Sequence, residues 1–315
     1  MSTVQPLGLH HVTAIASDPQ RNLDFWFTVL GQRLIKQTVN FDAPDVYHLY
    51  YGNEAGQPGT VMTFFPWPGT PQGRRGAGQA TITSFSIPEQ SLGWWKTHLG
   101  ALGVEVVDVQ TRFEEDALRF HDPDGLLVEL VAHEGGVGEP WDGGPIPVEH
   151  AIRGFHSVTL TQRSLDGTGG MFADLLNFGT SHEAGDRVRF EVGAGGPGRC
   201  LDVLIDPKAQ PGLVANGTVH HIAWRAPDDP TQQDWRSQIV ESGTPVTDIL
   251  DRQYFHSIYF REPGGVLLEI ATDEPGFTKD EPLLELGRTL RLPPWLEPNR
   301  EAIEANLPTL KLPES

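Results

Sequence analysis

A segment in the first half of the chain returns with the same pattern of residue types near its end, and this repeat constrains the fold more than any other feature. Leu118–Ala132 reads Leu-Arg-Phe-His-Asp-Pro-Asp-Gly-Leu-Leu-Val-Glu-Leu-Val-Ala, and Ile258–Thr272 reads Ile-Tyr-Phe-Arg-Glu-Pro-Gly-Gly-Val-Leu-Leu-Glu-Ile-Ala-Thr. Both segments predict a strand, a tight turn at Pro-x-Gly, and a second strand with a carboxylate among apolar residues. Such copies indicate a chain built from modules.

A second repeated element opens each module. Short strands that begin with histidine are predicted at Gly8–Ala16, Gly154–Leu160 and Val219–Trp224, and Ala80–Ile87 takes the remaining place without a histidine. The openings recur about every 70 residues. Four similar modules therefore fit the length of 315 residues.

A helix is predicted after each opening strand. In the first module Asp18 can cap the helix, Pro19 suits its first position and Gly31 ends it, and the fourth module repeats the first two signals at Asp229 and Pro230. Each module therefore predicts a strand, a helix and further strands. This order belongs to the α+β class.

A stretch rich in Gly and Pro between residues 133 and 149 is the natural joint between the second and third modules. The sequence predicts a two-module domain, a linker, a second two-module domain and a tail, at 1–139, 140–150, 151–274 and 275–315. Short helices are expected in the tail, near 283–286 and 298–306.

Charge and cysteine content exclude several classes of partner. The chain has 42 Asp and Glu against 23 Lys and Arg, a net charge of -19, so its surface repels nucleic acid and anionic membranes. The single cysteine, Cys200, excludes an internal disulfide, and the first residues lack the basic and apolar regions of a signal peptide. We expect a cytoplasmic protein.

Strand alternation places three metal-ligating side chains on one face. His11 and His221 point away from the apolar, helix-facing side of their strands, and Glu269 points the same way from the closing strand. A carboxylate among apolar residues is costly to bury unless a charge such as a divalent metal offsets it. Two imidazoles and one carboxylate form the facial triad that suits Fe(II).

Two alternatives stay open at this point. Histidines in strands are often ordinary hydrogen-bonded residues, and Glu129 holds the place of Glu269 in a module that opens without histidine. If the third and fourth modules pair instead, the ligand set becomes His156, His221 and Glu269. Periodicity does not show which modules close around one cavity.

The order of motifs resembles the vicinal-oxygen-chelate (glyoxalase/extradiol dioxygenase) superfamily, and within it the ring-cleaving hydroquinone dioxygenases, including dichlorohydroquinone dioxygenases. The similarity covers nearly the whole chain, through Leu9-His-His-Val-Thr13, Gly31-Gln-Arg33, Val46-Tyr-His-Leu-Tyr50, Pro58-Gly-Thr-Val-Met-Thr63, Arg153-Gly-Phe-His-Ser157, His220-His221, Tyr254-Phe255, and Pro263-Gly-Gly-Val266 with Glu269. The resemblance implies four βαβββ modules paired into two cupped-sheet barrels, with a C-terminal helical tail.

The resemblance also implies a site. The first and last modules would hold Fe(II), or alternatively Mn(II), through His11, His221 and Glu269. Residues implied to bind a phenolate or move a proton beside the metal are His10, Thr13, His220, Arg252 and Tyr259. Strand alternation conflicts with two of these, because it turns His10 and His220 away from the ligand face.

Simpler roles exist for several of these residues. Arg252 follows Asp251 and can pair with it at the surface, and Tyr259 can be a core residue. His156 is expected to be structural, and His48 lies in a strand-like segment that can line a cavity.

The implied function is a non-haem, Fe(II)-dependent dioxygenase that opens a hydroquinone-type aromatic ring. Its partners are then a small aromatic substrate and O2, and the superfamily suggests a homo-oligomer. The alternatives are an extradiol catechol dioxygenase, a glyoxalase-type metal-dependent lyase or isomerase, and a metal-free binding module.

Overall fold

The computed structural model describes residues 5–313, whose sixteen strands form two eight-stranded sheets. The first module contributes β1 (Leu9–Ala16), β2 (Arg33–Asn40), β3 (Ala43–Gly52) and β4 (Val61–Pro66). The second contributes β5 (Gln79–Ile87), β6 (Val106–Arg112), β7 (Glu115–His121) and β8 (Leu127–Ala132). The third contributes β9 (Phe155–Gln162), β10 (Gly179–Ala184), β11 (Arg187–Glu191) and β12 (Cys200–Ile205). The fourth contributes β13 (Thr218–Ala226), β14 (Leu250–Asp251), β15 (Phe255–Arg261) and β16 (Leu267–Pro275).

One helical segment follows the opening strand of each module. These segments are α1 (Pro19–Leu23), continued by a π-helix at Asp24–Val29; α2 (Leu92–Ala101), after a 3-10 turn at Glu89–Ser91; α3 (Thr168–Gly170), continued by a π-helix at Met171–Leu175; and α4 (Asp229–Glu241). The tail has 3-10 turns at Phe277–Lys279, Leu283–Glu285 and Glu297–Asn299, and ends in α5 (Arg300–Asn306).

The N-cap of α1 lies where the sequence predicts it, and the N-cap of α4 lies one residue earlier than predicted. Asp18 caps α1, where its carboxylate accepts a hydrogen bond of 2.8 Å from the Arg21 amide. The cap of α4 is Asp228, which accepts from the Thr231 amide at 2.8 Å, so the assignment of this role to Asp229 was wrong. Asp229 is the first residue of the helix itself.

Each sheet joins two modules back to back. The first runs β14-β15-β16-β13-β1-β4-β3-β2 and combines the fourth module with the first, and the second runs β10-β11-β12-β9-β5-β8-β7-β6 and combines the third with the second. This confirms the α+β class and the four βαβββ modules in two cupped sheets with a C-terminal helix. Each sheet contains strands from before and from after residues 140–150. The domain boundaries stay a prediction.

The core lies between the sheets and their helices. Four tryptophans are 0% exposed there: Trp26 before the end of the first helical segment, Trp95 in α2, Trp235 in α4, and Trp224 in β13. Large aromatic side chains therefore fill the contact between helix and sheet in the first, second and fourth modules. None of the helices within residues 5–313 has the length and apolar character needed to cross a membrane.

The tail is fixed to the first module by a buried lysine. Lys36 in β2 is 0% exposed, and its Nζ donates to the Phe277 carbonyl at 3.1 Å, to Asp280 at 2.6 Å and to Glu281. Glu281 is also buried and its second oxygen lies 3.3 Å from Arg291. An ammonium group in this position requires the tail carboxylates to offset its charge.

We predict that Lys36→Met destabilises the protein by about 3 to 5 kcal/mol, because it leaves the buried Glu281 charge poorly compensated. The double variant Lys36→Met/Glu281→Gln should recover part of the loss, since it removes that charge as well. Urea unfolding measures both. The control is Arg300→Met, which removes exposed pairs and should cost about 1 kcal/mol or less; an equal loss in Lys36→Met and Arg300→Met would contradict the prediction.

Candidate metal centre

The strand pair β1–β13 joins the first and fourth modules and places the three predicted ligands together. In this antiparallel pair His11 lies opposite Ala223, and in the parallel pair β13–β16 Ala223 lies beside Glu269. Because Ala223 has a small side chain, the imidazole and the carboxylate approach each other across it. His221, two residues earlier in β13, points to the same face.

The three side chains form a compact donor set. His11 Nε2 lies 3.2 Å and His221 Nε2 lies 2.9 Å from Glu269 Oε2, and the two nitrogens are 3.3 Å apart. All three residues are buried. Ligands bound side by side to one ion at about 2.1 Å are about 3 Å apart, so the spacing fits a single transition-metal ion.

His10 determines which nitrogen of His11 is available. His10 Nε2 donates to the Thr272 carbonyl at 3.1 Å, and burial together with the neighbouring His11 holds the pKa of His10 well below its usual value. A neutral His10 with its hydrogen on Nε2 accepts at Nδ1, so His11 Nδ1–H donates to it at 2.9 Å. His11 Nε2 therefore turns a lone pair toward Glu269.

His220 stands in the same relation to His221. Their Nδ1 atoms are 2.8 Å apart, and burial lowers the pKa of His220 to about 3, so this imidazole is neutral as well. A hydrogen on His221 Nδ1 leaves its Nε2 free to bind a metal. A hydrogen-bonded Nδ1 is the usual support of a metal-binding histidine.

Glu269 supplies the third donor group and carries the negative charge that a metal ion would offset. Burial alone raises the pKa of Glu269, but positive charge on the imidazole side of the carboxylate outweighs burial and holds this pKa well below its usual value, so the group is ionised where such a charge is present. Its Oε1 accepts from the Ser257 hydroxyl, whereas Oε2, which faces the imidazoles, has no hydrogen-bond partner within residues 5–313. A buried anion beside two imidazole nitrogens needs positive charge between them, which either a proton on an imidazole or a metal ion supplies. The donor set therefore fits the implied divalent ion.

Two β-bulges resolve the conflict over His10 and His220. The register of β1–β13 shifts between Leu9 and His11, and again between Thr13 and Ala14, whose partners are His221 and Val219. The extra residues at the two shifts are His10 and His220. A bulge breaks strict alternation and re-aims a side chain, so both imidazoles reach the ligands beside them.

A cavity of about 310 Å³ opens beside His11 and His221. Its wall includes His220, Arg252 and Tyr259 together with apolar and aromatic side chains. The Tyr259 ring lies 5.7 Å from the His221 ring, and the Arg252 guanidinium lies 5.3 Å from the centre of the Tyr259 ring. The structure thus brings these predicted residues to the metal-ligating cluster.

Arg252 pairs with a different carboxylate from the one considered above. Its Nη1 lies 3.3 Å from Asp42 Oδ2, in the turn between β2 and β3, whereas Asp251 accepts from the Gln253 amide. The Arg252–Asp42 pair therefore connects the first and fourth modules at the cavity wall. Thr13 is fully buried, with its hydroxyl 2.8 Å from that of Thr63.

His156 lies in the other sheet, so the alternative set with His221 and Glu269 is not brought together. Bulges recur there at Thr81 and His156, which makes His156 the counterpart of His10. By the same register Ser157 and Ile82 hold the places of His11 and His221. His156 instead lies 2.8 Å from Glu115.

Glu129, the counterpart of Glu269, has its charge offset by arginines. Its oxygens accept from Arg112 and Arg119, and from the Ser84 hydroxyl at 2.6 Å. In the second sheet, arginine side chains therefore offset the negative charge of the buried carboxylate. In the first sheet, a metal ion would do so.

Comparisons with known proteins agree with this geometry. The model of the Glyoxalase/Bleomycin resistance protein/Dioxygenase superfamily matches residues 8–130 and 154–270. The chain belongs to this superfamily. MhqO of Bacillus subtilis (strain 168), whose name describes it provisionally as a ring-cleaving dioxygenase, is 44% identical and the match covers 96% of each chain. The chlorohydroquinone/hydroquinone 1,2-dioxygenase of Sphingobium indicum is 40% identical, with 92% of each chain covered.

Solved structures of the superfamily give the same fold. A crystal structure from Bacillus subtilis subsp. subtilis strain 168, provisionally described as a dioxygenase, has a TM-score of 0.95 at 43% identity and covers 99% of this chain and 100% of that chain. Glyoxalase I from Zea mays has a TM-score of 0.62 at 11% identity, and the match covers 84% of this chain and 92% of that chain. The latter shows the fold alone.

The sequence did not single out part of the cavity wall. Tyr50, Phe65 and Asp42 line it, and His48, considered only as a cavity-lining residue, joins them. Alternation in β3 and β4 puts His48, Tyr50 and Phe65 on one face, but the register of the β3–β4 pair was needed to place that face in the cup.

We predict that His11→Ala, His221→Ala and Glu269→Ala each reduce bound iron to about a tenth or less, because each removes one of three ligands. The measurement is iron content by mass spectrometry after anaerobic loading with Fe(II) and desalting. His156→Ala is the control and should retain the wild-type content. Iron lost in His156→Ala and retained in His11→Ala would contradict the assignment.

A second prediction concerns His10. His10→Leu removes the acceptor of the His11 Nδ1–H and should weaken Fe(II) binding by roughly 10- to 100-fold. The matched control is His156→Leu, at the corresponding bulge of the other sheet, which should bind Fe(II) as the wild type does. Competition with a coloured chelator measures both affinities, and equal affinity in the two variants would contradict this role.

Proposed function

We propose that the protein is a non-haem dioxygenase that uses Fe(II) and O2 to open the ring of a hydroquinone-type substrate. The observation that carries the proposal is the convergence of two imidazole nitrogens and one carboxylate oxygen beside a cavity with aromatic walls. This donor set suits Fe(II) and leaves coordination positions open, and Mn(II) is the alternative ion. The names of MhqO and of the Sphingobium relative support ring cleavage.

Fe(II) held by His11, His221 and Glu269 would supply Lewis acidity toward a substrate oxygen and the redox capacity that chemistry with O2 requires. The chain's own residues bind and orient the substrate. His10 and His220 hold the ligand imidazoles in one orientation through their Nδ1 atoms. The apolar part of the wall, including Phe255 and Leu267, limits water around the ring.

The cavity wall favours a phenolate. Arg252 carries a positive charge, and burial together with Glu269 raises the pKa of Tyr259, so that its hydroxyl keeps the proton. His220 is neutral and its Nδ1 is engaged, which leaves its Nε2–H as a donor. Hydrogen-bond donors and a guanidinium on one wall stabilise negative charge on a substrate oxygen and on the ring as it opens.

The proposal is tested by loading the protein with Fe(II) under argon, adding a ring diol, and admitting O2. Hydroquinone and chlorohydroquinone should each consume about one O2 per substrate and give a product heavier by both oxygen atoms. The Glu269→Gln variant is the control and should show no uptake. Absence of uptake with every hydroquinone and catechol would overturn the proposal.

The same assay separates the competing functions. A preference for catechol would indicate an extradiol enzyme, and turnover of a glutathione hemithioacetal without O2 would indicate a glyoxalase-type reaction. The three-residue donor set favours the dioxygenase, because glyoxalase-type sites more often add a further carboxylate or amide ligand. A cytoplasmic location and a homo-oligomeric state remain part of the proposal.

A further inference from the structure

Three aromatic side chains form one wall of the cavity. Tyr50 and His48 in β3 and Phe65 in β4 all line it, with ring centres 4.0 Å apart for His48 and Tyr50 and 4.3 Å apart for His48 and Phe65. None of the three belongs to the metal-ligating set or to the donors described above. We call this group the aromatic wall.

Hydrogen bonds fix the middle member of the aromatic wall. His48 Nδ1 lies 2.8 Å from the Tyr50 hydroxyl, and His48 Nε2 lies 2.9 Å from the Thr63 hydroxyl. Thr63 in turn bonds Thr13 at 2.8 Å. Whichever tautomer the imidazole adopts, both of its nitrogens are engaged, so His48 offers the cavity ring carbon and no polar atom.

The wall is also supported from behind. Tyr50 is 1% exposed, and its ring packs against Phe277 at 5.1 Å and Tyr254 at 6.3 Å. Phe277 belongs to the tail, and Lys36 donates hydrogen bonds to its carbonyl and to the nearby carboxylate of Asp280. A surface that is packed and hydrogen-bonded on its far side keeps its shape when a ligand binds.

We propose that the aromatic wall, with His48 at its centre, is a specificity-determining surface that selects a flat aromatic ring over a saturated ring with the same oxygen atoms. His48 contacts the ring as an apolar surface and takes no part in proton transfer. Aromatic rings gain from edge-to-face and offset contacts that a saturated ring cannot make. This inference rests on the proposed aromatic substrate.

The test is anaerobic calorimetry on the Fe(II)-loaded protein with hydroquinone and, as its saturated counterpart, trans-cyclohexane-1,4-diol. Wild type should bind hydroquinone more tightly than the diol, and His48→Ala should reduce the ratio of the two affinities by about three- to tenfold. The part of the preference that comes from phenolate binding at Fe(II) and Arg252 should remain in this variant. His48→Phe, which keeps an aromatic ring, should preserve the preference. A preference unchanged in His48→Ala would overturn the proposal.

A second measurement separates a binding surface from a proton-transfer group. If O2 uptake is observed, His48→Ala should raise KM for hydroquinone by a larger factor than it lowers kcat, and it should not shift the pH dependence of kcat, because His48 transfers no proton. A large loss of kcat in His48→Ala with normal hydroquinone binding would also overturn the proposal. Because binding is measured without O2, failure of the dioxygenase function leaves this test intact.

His48→Phe removes the hydrogen bond to the Tyr50 hydroxyl and one of the two hydrogen bonds of the Thr63 hydroxyl, which keeps Thr13, so the stability of the variant must be measured. The double variant His48→Phe/Tyr50→Phe removes one of these groups and serves as the second aromatic substitution. Thermal unfolding of both variants shows whether they are folded at the assay temperature. If both folded aromatic variants lose the preference for hydroquinone, the wall does not select by aromatic contact and the proposal fails.

Discussion

The fold of the first sheet depends on how it accommodates one buried carboxylate. Glu269 is ionised and 0% exposed, and its inward oxygen faces two imidazole nitrogens at 2.9 and 3.2 Å without a hydrogen-bond donor from another residue of the described chain. Such an arrangement is unfavourable unless positive charge lies between the three atoms. The small Ala223, the bulges at His10 and His220, and the back-to-back joining of the first and fourth modules all serve to bring these atoms together.

The second sheet shows the same constraint answered differently. It keeps the carboxylate at Glu129, but the corresponding places for imidazoles hold Ser157 and Ile82. Arg112 and Arg119 offset the charge instead. A duplicated module therefore retains its closing-strand carboxylate in both copies, and the side chains around that carboxylate decide whether a metal is needed. In the first sheet, no arginine or lysine of residues 5–313 pairs with Glu269, and this carboxylate lies beside the cavity that Arg252 and Tyr259 line.

Much of the fold could be predicted from repeated local patterns in the sequence. The Pro-Gly turns, the cap at Asp18 and the tryptophans of the helices are short-range signals, so module order and class followed from them. The N-cap of α4 was placed at Asp229 and not at Asp228, because two adjacent aspartates give the same signal and only backbone geometry distinguishes them. The directions of the His10 and His220 side chains could not be predicted from the sequence either. A bulge is a property of two paired strands, and alternation within one strand does not reveal it.

The sequence by itself determined the modules, the acidic surface and the face on which His11, His221 and Glu269 lie, because these depend on periodicity and composition. The family resemblance added the choice of ligands among the open sets. Tertiary structure alone decided that the first and fourth modules share a sheet, that His156 lies apart from the cluster, and that His48 joins the cavity wall. The physical reason is that pairing between strands some 200 residues apart is set by the packing of the whole chain, which no local pattern encodes.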